Sequence, residues 1–133
     1  MSRWMLDTDT ASYIIKRHPD GVRRRLNAVG VGAVCLSSVT LGELRFGAAR
    51  AADPIVTGAA VDEFVRFIEI VPWDERAADV YGRLRADLHG TGRPIGPLDE
   101  MIAAHAIALD RTLVTSNRRH FGRVDGLLLD TWT

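Results

Sequence analysis

The chain has 133 residues, enough for one compact domain to bury ~70% of the surface that its unfolded form exposes. Hydrophobic residues make up 47% and charged residues 26%, a balance that excludes the disordered and fibrous classes. The 17 basic residues cancel 17 acidic ones, so no whole-chain field steers the protein toward polyanions and any nucleic-acid contact must be local.

The first residues reach a carboxylate at Asp7 with no apolar stretch before it, which does not read as a secretory signal. Trp4-Met5-Leu6 reads as a short buried strand ending in that acid. A helix through Ala11, Ile14 and Ile15 follows, broken at Pro19-Asp20-Gly21. The run Arg23-Arg24-Arg25 is either a solvated helix face or a contact to RNA backbone. The longest small-or-apolar run, residues 29–36, contains two glycines and falls short of the ~20 residues of a membrane span. A cytoplasmic location without a membrane partner is therefore expected. Residues 33–36 read as a second buried strand holding the lone Cys35, which has no partner for an internal disulfide.

Ser37 or Ser38 can cap a helix carrying Val39, Leu41, Leu44 and Ala48. Pro54 opens a longer helix whose stripe of Val61, Phe64, Val65 and Ile68 runs into a strand at Ile70-Val71. Asp74 caps a helix with Ala77, Val80, Tyr81, Leu84 and Leu88 at three- and four-residue spacing. A Gly/Pro-rich loop over 91–97 precedes another helix with Leu98, Met101, Ile102, Ala106 and Leu109 on its stripe. Residues 112–115 form a strand, Ser116-Asn117 a cap, and 127–129 a last strand. Strands alternating with helices predict an α/β fold: a single domain over residues 1–133, with a central, mostly parallel sheet and helices on both faces.

Ligands of open α/β sheets bind beyond the carboxyl ends of the strands, where strand order reverses. Asp7 and Asp9 fall after the first strand, Glu43 in the helix after the second, Asp99 at the start of a later helix, and Asn117 after the fourth strand. Carboxylates gathered at one edge repel each other and either take up protons or bind a hard cation. Mg²⁺ suits such a set because it takes one or two carboxylates and keeps waters, leaving room for phosphate oxygens. Each acid also has a plain reading: Asp7 as a helix cap, Asp99 as a partner of a helix dipole, Glu43 on a solvated face. His105 counts onto the apolar face of its helix and reads as a hydrogen-bonded core residue, while His18, His89 and His120 fall at helix ends or loops.

The ordered set of segments is similar to a known family. Met5-Leu-Asp-Thr, Leu36-Ser-Ser-Val-Thr-Leu-Gly-Glu-Leu-Arg-Phe-Gly-Ala, Tyr81-Gly-Arg-Leu-Arg-Ala-Asp-Leu, Gly92-Arg-Pro-Ile-Gly-Pro-Leu-Asp-Glu-Met-Ile-Ala-Ala-His-Ala, Leu113-Val-Thr-Ser-Asn-Arg-Arg-His-Phe-Gly-Arg-Val and Asp130-Thr-Trp together resemble the PIN-domain ribonuclease toxins of the VapC type. The resemblance implies an endoribonuclease that uses Mg²⁺ or Mn²⁺, leaves a 3′-hydroxyl and a 5′-phosphate, is blocked by a cognate antitoxin and forms a homodimer. Asp7 and Asp99 match its metal-binding acids and Glu43 its helix acid, which makes these three the catalytic set. Arg85 matches a frequent arginine and is either a phosphate contact or a surface salt bridge. Two departures stand out: Asp9 where the family commonly has Asn, and Asn117 where other PIN domains carry a fourth acid. These leave open whether the site holds one metal or two. Phe46, Phe64 and Phe67 are candidates for an antitoxin groove or dimer face, with core packing as the alternative.

Two other readings compete. Leu6-Asp-Thr-Asp-Thr resembles the nucleophile loop of haloacid-dehalogenase-like phosphatases, with Asp7 as nucleophile, but Lys16 is the only lysine and stands too close to that loop to serve as the later phosphate-steadying one. A non-catalytic RNA- or protein-binding module would keep the fold without needing Asp7, Glu43 and Asp99 together.

Overall fold

The computed structural model describes residues 2–133. Its elements run β1 (Trp4–Leu6), α1 (Thr8–Lys16), α2 (Asp20–Val29), a 3-10 turn (Val31–Ala33), β2 (Val34–Ser37), α3 (Ser38–Ala49), α4 (Pro54–Val65), β3 (Glu69–Val71), α5 (Glu75–Gly90), α6 (Pro97–Ala108), β4 (Thr112–Val114), α7 (Arg118–Phe121) and β5 (Leu129–Asp130). The strands form one sheet in the order β3-β2-β1-β4-β5, and every pairing is parallel. This is the α/β architecture expected from the alternation of elements. The chain winds outward from β1 in both directions, so strand order reverses between β1 and β4.

Side chains alternate across the sheet and divide the core in two. Leu6, Val34, Leu36 and Val114 face a cluster with Ala11, Ile14, Leu26, Leu44 and Val61 from α1 to α4. Met5, Cys35 and Leu113 face the opposite cluster with Leu84, Leu88, Ile102 and Phe121 from α5 to α7. A strand buried on both faces must be apolar at every position, which is why the short runs at 4–6 and 34–37 carry so few polar residues. Cys35 is buried and unpaired, as its setting implied.

Three elements refine or correct the sequence reading. After Pro19, where Arg23-Arg24-Arg25 read as a solvated helix face or an RNA contact, α2 forms with only Val22 and Leu26 buried, a stripe too thin to stand out in the sequence. The helix from Pro54 stops at Val65 rather than reaching Ile68, because Glu69 and Ile70 are already in register with Cys35 and Leu36. The last strand begins at Leu129, with Leu128 exposed. Among the described residues, no helix is long and apolar enough to cross a membrane.

Candidate active site

Asp7 follows directly from the end of β1. Its backbone N–H donates to the Val114 carbonyl at 3.0 Å, extending the β1–β4 ladder by one bond. Its side chain caps α1, Oδ1 accepting from the Thr10 N–H at 2.8 Å, so the plain reading as a helix cap holds. Only 3% of the residue is exposed. Burial pushes its carboxyl above the usual carboxylate range; hydrogen bonds from Thr115 and Thr10 pull it back in part, and the nearby charge of Asp9 pushes it up again.

Asp99 reaches the same edge from α6. Gly96, at φ 103°, makes a turn that a side-chain-bearing residue would enter only with strain, and Pro97 takes the first helical position where its missing N–H costs nothing. Asp99 therefore lies in the first turn of α6, where the helix dipole favours an anion. Its Oδ2 is bonded to His120 Nε2 at 2.9 Å. Burial raises its carboxyl, His120 counters this, and the charges of Asp7 and Asp9 raise it further. Asp7, Asp9 and Asp99 thus share one electrostatic neighbourhood at the switch point of the sheet.

Glu43 stands half-buried on α3, and its Oε1 accepts from the Thr8 hydroxyl at 2.7 Å. It is joined to Asp7 through the residue next in sequence rather than lying on a freely solvated face. Beside it opens a shallow depression of about 400 Å³ lined by Val39, Gly42, Glu43, Phe46, Leu98 and Met101. Among the described residues, no three His, Cys, Asp or Glu side chains come together as a ready metal cage. The convergent feature is a pair of carboxylates, buried Asp7 and half-buried Asp99, with Asp9 exposed near them. Such a pair fits Mg²⁺, which binds through one or two carboxylates and fills its remaining positions with water.

The other sequence candidates separate. Asn117 is exposed and caps α7, its Oδ1 accepting from the His120 N–H at 3.1 Å. Arg85 donates to Glu100 Oε1 at 2.6 Å, and Glu100, fully buried, also accepts from the Ile95 N–H at 3.1 Å. The salt bridge weighed for Arg85 therefore exists, with a buried partner rather than a surface one. Arg25 pairs with Asp130 at 3.5 Å and Arg23 donates to the Ile14 carbonyl at 3.4 Å, so two of the three clustered arginines are engaged within the fold. His105 is buried and bonded through Nδ1 to the Ser37 hydroxyl at 2.8 Å, and burial lowers its pKa, which keeps it neutral as a core residue. Phe64 packs on the first core cluster, whereas Phe46 and Phe67 are exposed and core packing does not explain them.

Sequence reading missed His120, Thr8, Thr115 and Glu100. No local pattern marks His120, since its partner comes from another element. Glu100 was findable: counting three and four onward reaches Ala103 and Ala104, the buried face of α6.

A five-stranded parallel α/β sheet with Asp7 and Asp99 at its switch point defines the class, an open α/β domain whose polar edge lies where such folds bind ligands. Residues 4–127 match the PIN domain model. The chain is 42% identical, over the full length of both, to the tRNA(fMet)-specific endonuclease VapC of Shigella flexneri, and 35% identical to ribonuclease VapC2 of Rickettsia felis over 97% of each. A DNA-bound VapBC structure from Salmonella typhimurium superposes with a TM-score of 0.95 at 38% identity, covering 100% of both chains. The chain belongs to the PIN-domain family, among its VapC ribonucleases. Family membership removes the support for the phosphatase alternative, and Lys16 is exposed in the last turn of α1.

Proposed function

We propose that the chain is an endoribonuclease that hydrolyses RNA phosphodiester bonds with Mg²⁺, Mn²⁺ serving as a substitute, and that Asp7, Glu43 and Asp99 carry the reaction. The observation that carries this reading is the placement of Asp7, directly after β1, and Asp99, in the first turn of α6, at the one edge of the sheet where strand order reverses. Among the described residues, no arginine or lysine pairs with Asp7 or Asp99, and His120 is the one side-chain partner of Asp99, which leaves room for a divalent cation between the acids. A divalent cation there would supply positive charge to the phosphate oxygens and lower the pKa of an attacking water. Asp7 and Asp99 would hold it, Asp7 with its Oδ1 already fixed by the Thr10 N–H. Glu43, steadied by Thr8, orients the attacking water, and exposed Asp9 adds negative charge at the rim. Asn117 supports the site by capping α7 rather than by reaching into it.

The residues 1–133 act as one nuclease domain in the cytoplasm, as a homodimer and as the toxin of a toxin–antitoxin pair. The similar VapBC structures support a cognate antitoxin, and exposed Phe46 beside Glu43 offers it an apolar foothold. Transfer RNA is the first substrate to test, since the Shigella relative is named for it.

Purified protein incubated with total RNA will cleave in Mg²⁺ and stop in EDTA. Asp7→Asn and Asp99→Asn are each expected to lose activity about 10²–10³-fold, the range seen when one group that stabilises the transition state is removed. Cleavage that survives EDTA, or 2′,3′-cyclic phosphate ends in place of 5′-phosphates, overturns the mechanism.

A further inference from the structure

His120 was not expected to take part in any chemistry, yet it makes the one side-chain hydrogen bond to Asp99 among the described residues. Its place is built with several supports. Asn117 caps α7 by accepting the backbone N–H of His120 itself, and Phe121, next in sequence, is 2% exposed and anchors the turn in the second core cluster. The imidazole meets the Phe121 ring edge-on, with centroids 5.5 Å apart and planes at 89°, which limits its rotation. A carboxylate only accepts, so Nε2 carries the hydrogen, in the neutral tautomer or the imidazolium alike. That bond engages Oδ2 of Asp99, whereas Oδ1 accepts no hydrogen bond among the described residues and is the freer oxygen for a cation.

A carboxylate at the end of a two-torsion side chain is otherwise free to spin about its last bond. We infer that His120 is a positioning residue of this site: it fixes the Asp99 carboxylate through Oδ2 so that Oδ1 is presented to the divalent cation. The inference rests on the acid-pair reading above. Outer partners that hold a ligating carboxylate in this manner contribute about 10–100-fold in metal affinity. The bond has two properties that suit the role. It comes from a different element than Asp99, so it locks α7 to the first turn of α6, and it uses a donor whose reach a glutamine amide can match.

The test is Mn²⁺ binding to the metal-free full chain, read by the loss of the free-ion EPR signal, with thermal melts as the folding control. His120→Ala should bind Mn²⁺ about 10–100-fold more weakly while melting cooperatively. His120→Gln, which keeps an N–H at the same reach, should recover most of that loss. His120→Ala that binds as wild type does, while Asp7→Asn has lost affinity, overturns the role of His120 and leaves the acid pair standing. Asp7→Asn that binds as wild type does overturns the acid pair and the inference with it. Nitrogen coupling to the bound Mn²⁺ in pulsed EPR would mean direct ligation by the imidazole and would likewise overturn the positioning role.

Discussion

Asp7 serves two demands that pull against each other, capping α1 and carrying charge where little water reaches. Its folded carboxyl lies above the ordinary value of 3.8, as does that of Asp99, so the folded chain holds these protons more tightly than the unfolded one. Stability from that proton uptake is fully present below 3.8 and is lost as pH rises through the raised folded values. Without metal, the two charges therefore weaken the fold at neutral pH. Asp7→Asn keeps a good capping side chain and removes the buried charge. In EDTA at pH 7 it should melt above wild type, with the gap closing as pH falls toward 3.8. Added Mg²⁺ should reverse the order, because a ligand that binds the native state stabilises only the protein able to bind it. Melting curves over pH, with and without Mg²⁺, check both signs. Asp7 and Asp99 were legible in the sequence because one follows a strand and the other opens a helix. His120 and Thr8 were not, since each matters through a partner 21 and 35 residues away that only the fold brings near.

At the scale of elements, the loop into α6 is held by an ion pair between half-exposed Arg85 and fully buried Glu100. Glu100 binds Arg85 of α5 and the Ile95 N–H of the loop together, immediately beside Asp99 in the chain. Removing one partner strands the other charge in the interior, so Arg85→Ala is expected to cost about 3 kcal/mol. A urea titration should show a lower midpoint with an unchanged slope. If Arg85 instead served as a phosphate contact, the variant would keep its midpoint and lose substrate affinity. The helices with dense apolar stripes, α5 above all, were readable from spacing alone. The end of α4 was not, because sheet pairing at Glu69 decides it, and pairing leaves no mark in a helical period.

For the whole molecule, the sheet divides two cores that share the same three central strands. Ile102, fully buried in the second cluster, lies across the sheet from the Trp4–Trp132 pair, while Trp73 bonds to Met101 on the side of Ile102. Ile102→Ala should destabilise the protein by about 2–5 kcal/mol. Because strands as short as β1 stand only with both cores formed, circular dichroism and tryptophan fluorescence should shift together to one lower midpoint. The parallel α/β architecture was legible because alternating strands and helices leave few other ways to bury both faces. The charge cluster has a consequence for the order of events in the life of the chain. Asp7 earns its place in the fold as the cap of α1, and Asp99 sits at the favoured end of α6, before either meets an ion. Unlike a zinc finger, whose shape waits for its metal, this domain draws its shape from caps, dipoles and two apolar cores, so the acids stand at the sheet edge without any ion to assemble them.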